Sequence, residues 1–321
     1  MKKFITIGLF LTILPFLTKA QTKKDIPQVR AHHTLVYHAS NELTYLIGGS
    51  TRVEGGYHYY SDVWSWDGEQ WNEKEELPFP KSSHQTSYHT KRNALIVFGG
   101  GFQRAVKAEG VFWEWKGDKW QAVGGNFMAG RDEPGMCYDE VRNKMVIFGG
   151  WDRSINYTND TWEWDGVRFA QIDTTGPASR AGHMFVYDSV RESCLLFGGR
   201  GPDGFWEDTW EWDGEQWNKL NVKGPSARWF FGSAADPSTG QIIVFGGGGS
   251  EGDLKDTWVW NGQTWTELTN QGENPMPRSM GKLAYSQDGI LLFGGRHSTE
   301  DGFIDLNDTW IFKNDRWTPK N

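Results

Sequence analysis

The stretch Asp208-Thr-Trp-Glu-Trp-Asp-Gly-Glu-Gln-Trp217 sets three indoles among four carboxylates. Residues of these types suit sugar chemistry. Indole faces stack on carbohydrate rings, and a carboxylate beside them can act as general acid or base. A second candidate set is basic: Arg30, Lys81, Arg131, Arg180, Arg228 and Arg278, with His33, His84 and His183 three residues further on in three cases. Three histidines raise the question of a metal, but no carboxylate stands beside them at ligand spacing.

Comparison within the chain separates chemistry from framework. The quoted stretch is one of six copies; the others are Asp62–Trp71, Val111–Trp120, Asp160–Phe169, Asp256–Trp265 and Asp308–Trp317. A Gly-Gly pair ending an apolar run recurs at Gly48-Gly49, Gly99-Gly100, Gly149-Gly150, Gly198-Gly199, Gly246-Gly247 and Gly294-Gly295, in steps of 51, 50, 49, 48 and 48 residues. The basic residue stands seven before Tyr37, Tyr88, Tyr138, Tyr187 and Tyr285, and before Ala235 in the fifth copy. A residue present in every copy serves the copy; one found once escapes that explanation. Sixteen of the 19 tryptophans fill the repeated positions, with Phe169 and Phe312 in the remaining two. Replacement by Phe points to apolar packing, with each indole N–H expected to find an acceptor. The repeated Asp62, Asp160, Asp208, Asp256 and Asp308 are expected to bond nearby backbone.

Each copy reads as four short strands. The first runs from the basic residue to Tyr, the second ends in Gly-Gly, the third carries Trp-x-Trp, and the fourth follows a tight turn such as Asp213-Gly214. One such sheet cannot bury both faces alone, so six must stack radially. The period near 50, the Gly-Gly after a strand and the downstream Trp resemble kelch repeats over about Pro27–Trp317. The resemblance implies an all-β, six-bladed β-propeller. Its single domain spans residues 21–321, with blades near 27–76, 77–126, 127–176, 177–224, 225–273 and 274–321. Trp-x-Trp departs from the usual tyrosine-containing third strand. Closure by contiguous blades or by a blade shared between the chain ends is left open.

Residues 1–20 read as an export signal, with Lys2 and Lys3, the apolar run Phe4–Leu17, and Thr18-Lys19-Ala20 before Gln21. The apolar run is short for a membrane span. Without this segment, 30 basic residues face 41 acidic ones, a charge of about −11. That balance, with no basic run, argues against nucleic acid and anionic membrane surfaces as partners. The expectation is an exported monomer, periplasmic or extracellular, with no membrane insertion and no cofactor or metal. Cys137 and Cys194 fall at small or apolar strand positions and are read as buried free thiols, with a disulfide between adjacent blades as the alternative.

The strand directions place the basic ring, the loops after Gly-Gly and the links between repeats on one face. Variable loops on a rigid scaffold are where binding residues concentrate. Three tryptophans stand outside the repeat, Trp151, Trp206 and Trp229, with Arg153 and Arg200 nearby. Together with Arg131, Arg180 and Arg228 of the basic ring they form the candidate ligand-binding set. For the ring itself, a structural salt bridge is the competing reading. The expected function is a non-catalytic module recognising a protein or carbohydrate through this face. The alternative is a sugar-acting enzyme, since galactose oxidase-like oxidases and sialic-acid epimerases have similar folds. The oxidase's Tyr-Cys cofactor and histidine ligands have no residue-by-residue match here. An epimerase-like site would draw on the arginine ring with Glu251 or Glu300.

Overall fold

Thr34–His38, Leu43–Ile47, Val63–Trp66 and Trp71–Lys74 pair antiparallel in chain order. Five further four-stranded sheets repeat the pattern, beginning at Ser82, Gly135, Met184, Gly232 and Lys282. The chain is a six-bladed β-propeller. The computed structural model describes residues 26–101, 110–117, 119–124, 128–152, 156–173, 175–269 and 272–320. The expected export signal and Arg153 lie outside these, as do Phe102 and Arg104 of the loop that follows Gly99-Gly100. Among the described residues, no helix is long and apolar enough to cross a membrane.

The second strand of each blade is the most deeply covered; Ser193–Phe197, for example, is buried throughout. Such strands need apolar residues on both faces, which explains their unbroken apolar runs. Six apolar clusters lie one at each junction between neighbouring blades. Leu46, Trp66 and Trp71 of the first blade pack with Leu291, Phe293 and Ile311 of the sixth, which closes the ring. Both terminal blades are built from their own repeats, so closure is by packing and hydrogen bonds. One such bond runs from Trp71 Nε1 to Thr309 Oγ1 at 3.1 Å.

The tryptophans form an ordered lattice. The first indole of Trp-x-Trp donates to the aspartate two residues earlier, at 2.6–2.7 Å, in the five blades that have it. The last indole crosses to a threonine of the preceding blade: Trp217 to Thr161, Trp265 to Thr209 and Trp317 to Thr257 repeat the closing bond of Trp71. Not every indole is satisfied, however. Trp66, Trp115, Trp120 and Trp164 have buried N–H groups with no acceptor among the described residues. Ring burial, worth about 3 kcal/mol each, outweighs the lost bond at these positions.

Gly-Gly has a backbone cause. In each blade the N–H of its second glycine donates to the carbonyl of the next blade's basic residue, as in Gly199 to Arg228 at 2.8 Å. Gly198 and Gly199 sit at φ 67° and 98°, and a Cβ on Gly198 would stand 2.9 Å from the Arg228 carbonyl oxygen. Only glycine fits such a position without strain.

The free-thiol expectation is corrected. Cys137, on the first strand of blade three, is joined in a disulfide to Cys194, on the second strand of blade four, with Cα atoms 6.8 Å apart. Both positions are buried and apolar as expected. Adjacent blades bring them face to face within the same interfacial cluster.

Candidate functional site

The acids of Asp208–Trp217 are engaged in the frame. Asp208 pairs with Arg180, Glu211 with Arg191 and Ser193, and Asp213 accepts from the Glu215 and Gln216 backbone at the turn. Burial pushes the Asp208 carboxyl up, but hydrogen bonds and charge from Arg180 and the Trp210 N–H bring it below the usual range. Asp160, Asp256 and Asp308 repeat this balance with Arg131, Arg228 and Arg278.

The basic ring is buried throughout. Each member donates to the carbonyl of the first Gly-Gly residue of its own blade. The arginines also bridge the repeated aspartate, as Arg228 does with Asp256. Blade two lacks the aspartate, having Val111, and there the arginine is replaced by Lys81. Arg131, Arg180 and Arg228 therefore face their own blades, with guanidiniums almost fully covered. Glu251 and Glu300 lie on exposed hairpin turns, so they are not brought together with the arginines.

His33, His84 and His183 pack in three separate interfaces. His33 sits against Phe293, His84 beside Thr34, and His183 against Phe148. Burial, reinforced by Arg30, holds His33 well below its ordinary value. Burial with Lys81 lowers His84 to about 3, and burial with Arg180 lowers His183 to about 3.

The non-repeating residues converge at the axis on the loop side. The residue two after each basic position has a left-handed backbone in all six blades: His32, Ser83, Glu133, Gly182, Phe230 and Met280, at φ 50–64°. Five of these are not glycine, a conformation that costs about 1–2 kcal/mol each. Hydrogen bonds between neighbouring blades hold it. Ser83, Glu133, Gly182, Phe230 and Met280 each donate their N–H to the carbonyl of the counterpart one blade earlier. The kink turns the side chains toward one another. His32 Nδ1 lies 2.8 Å from Glu133 Oε1 and 3.1 Å from Ser83 Oγ, joining blades one, two and three. Burial would raise Glu133, but Lys282, His32 and Ser83 lower it to about 2, so it stays ionised. Both partners of His32 meet the same ring nitrogen. A proton relay needs the acid and the hydroxyl on opposite nitrogens, so this Ser–His–Glu group is not arranged as one.

From His32 a continuous path leads outward. Its ring meets Phe230 edge-on at 5.5 Å, and Phe230 stacks on Trp229 at 4.0 Å. Arg200 lies over Trp229 at 5.0 Å and over Phe205 at 5.6 Å. Arg200 is exposed; its backbone pairs with Ala181, but no hydrogen bond or ion pair reaches its guanidinium among the described residues. Trp229 and Arg200, two of the expected site residues, thus come together across blades four and five. Trp151 is separate, stacked on Tyr157 at 5.8 Å. Trp206 covers buried Arg180 at 5.0 Å, as Tyr60 covers Arg30 at 4.1 Å in blade one, which gives it a framework contact.

Sequence reasoning overlooked His32, Ser83, Glu133, Phe230 and Met280. Their types differ between copies while the basic residue two before stays fixed, and that contrast was the available signal.

The family model described as the KLHDC2/KLHL20/DRC7 Kelch-repeats domain matches residues 167–320. That segment covers the later repeats, and the earlier blades carry the same Gly-Gly and Trp-x-Trp lattice. The match supports the kelch-repeat family for this chain. No curated protein matches it. Kelch propellers typically mediate protein interactions, so the fold is consistent with a binding module.

Proposed function

We propose that this kelch propeller is an exported, non-catalytic module that binds a protein ligand through its loop face. The observation that supports this best is the bracing of Arg200 by Trp229 and Phe205, joined through Phe230 to His32 at the axis. A guanidinium held on aromatic faces is partly pre-ordered and presents its N–H edges to a planar acid. The ligand group it suits is an Asp, Glu or C-terminal carboxylate. Phe230 stacks on Trp229 at 4.0 Å and Arg200 lies over the same side chain at 5.0 Å, so that indole is already engaged by protein groups rather than left open for a sugar. This favours a protein ligand over a carbohydrate one.

Export rests on the signal-like residues 1–20, and the Cys137–Cys194 disulfide accords with it, because such bonds persist in oxidising compartments. The test is to pan a displayed random-peptide library against the wild-type protein. Enriched peptides should be acidic and should lose about tenfold or more in affinity for Arg200→Glu. Enrichment without acidic bias, or peptides that bind Arg200→Glu equally well, would count against the reading.

A further inference from the structure

A cavity of about 370 Å³ runs along the propeller axis below the His32–Glu133 floor. The first strands of all six blades line it, from Lys282 near the floor to the turns at Ala39, Glu140 and Pro237 on the opposite face. It is therefore reached from the side away from Arg200. Tyr37, Tyr88, Tyr138, Tyr187 and Tyr285 ring that end, with Tyr37 and Tyr285 edge to face at 4.8 Å. The sixth place holds Ala235, which leaves a gap in the aromatic ring.

Among the described residues, Lys282 is the one lysine or arginine that lines the interior. Lys282 holds the place taken by Thr34, Gln85, Gly135, Met184 and Gly232 in the other blades. No hydrogen bond or ion pair reaches its amine among the described residues. Glu133 senses its charge. That carboxylate, however, is already bonded to His32 and lies beyond contact distance of Lys282. An ammonium has three donors, and half-buried Lys282 directs none of them to a protein acceptor, so they are open to a ligand in the channel. Around it the wall is mixed, with Met136, Val186 and Ala234 beside Thr34, Ser87 and Ser233. A cavity of this size suits a small molecule with an apolar body and one polar end.

We propose that the axial channel binds a small organic monocarboxylate, which enters through the tyrosine-ringed mouth at Ala235 and places its carboxylate on Lys282. The apolar body lies against the strand walls, and the tyrosines close around its tail. The site is separate from the loop-face site and does not depend on it.

Isothermal titration calorimetry of the full mature chain with sodium benzoate tests this, with benzyl alcohol as the neutral probe of similar shape and sodium chloride matching ionic strength. Benzoate should bind saturably, and benzyl alcohol about tenfold or more weakly. Lys282→Met should weaken benzoate to the level of benzyl alcohol. Ala235→Tyr, which fills the gap without touching the lysine, should also weaken it, and keeps the test decisive if Lys282→Met folds poorly. Arg200→Glu should leave benzoate affinity unchanged, so failure here and failure of the loop-face reading are distinguishable. The proposal is overturned by an absence of saturable benzoate binding, by equal binding of benzyl alcohol, or by full affinity in a folded Lys282→Met or Ala235→Tyr protein.

Discussion

Phe112 and Phe169 pack edge to face at 4.8 Å across the junction of blades two and three, where four other junctions join a threonine to a tryptophan by a hydrogen bond. The two substitutions are complementary. Phe112 removes the hydroxyl that would accept the indole N–H, and Phe169 removes that N–H. The remaining junction shows the cost of changing one side only: Trp120 packs in the cluster of Val63 with its N–H unpaired.

This relationship predicts strong coupling. Phe112→Thr or Phe169→Trp alone should destabilise by about 1–3 kcal/mol, through a cavity or through overpacking. The double variant should restore the threonine–tryptophan bond and lose less than the sum. Urea unfolding of the four proteins measures the difference; strict additivity would contradict the account.

The Arg180–Asp208–Trp210 unit should behave as buried ion pairs do. Asp208→Val leaves Arg180 uncompensated and should cost about 3–5 kcal/mol. Adding Arg180→Lys recreates the Lys81 and Val111 pairing of blade two and should recover part of the loss. A second change that deepens the loss would show that blade two offers no working alternative.

Acid stability follows from the histidines. His84 and His183 stay neutral in the fold down to about pH 3, whereas an unfolded histidine takes up a proton near its ordinary value of 6.5. The unfolded state therefore binds more protons in that window, so stability falls as pH drops from about 6.5 toward 3. The lowered aspartates add a further loss only at the lower end, below their ordinary value of 3.8. Phe231 stands at the corresponding place in blade five, so His183→Phe should flatten the decline between pH 6.5 and 4. Melting temperature against pH checks it, and an unchanged slope would remove His183 as a source.

The Cys137–Cys194 bridge should protect both thiols from alkylation in the folded and unreduced unfolded protein, and reduction should expose two reactive sites. Cys194→Ala should lower stability by about 2–4 kcal/mol, since the bond closes a loop of 57 residues. Alkylation without reductant would restore the free-thiol reading.

Much of the fold was legible because six copies of one unit state their own grammar. Gly-Gly, Trp-x-Trp and the basic residue mark strand ends and directions. The repeat also marks Asp208, one of five aspartates at the same place, as framework. The disulfide was not legible, because Cys137 and Cys194 lie in different blades and the offset between neighbouring sheets decides their meeting. The axial floor was missed for a related reason. A left-handed backbone at His32, Glu133 and Phe230 leaves no mark in residue type, since hydrogen bonds between blades enforce it where glycine would be expected. Trp206 misled in the opposite direction: it looked unique by type but fills the covering position of Tyr60.

The most direct test of the loop-face account is a charge exchange at Arg200. For an acidic peptide selected on the wild-type protein, affinities are measured for wild type and Arg200→Glu, each with the peptide and with its acidic residue changed to Lys. The account predicts weak binding for the two mismatched pairs and recovery of affinity in the doubly exchanged pair. Equal affinity across all four combinations would contradict it.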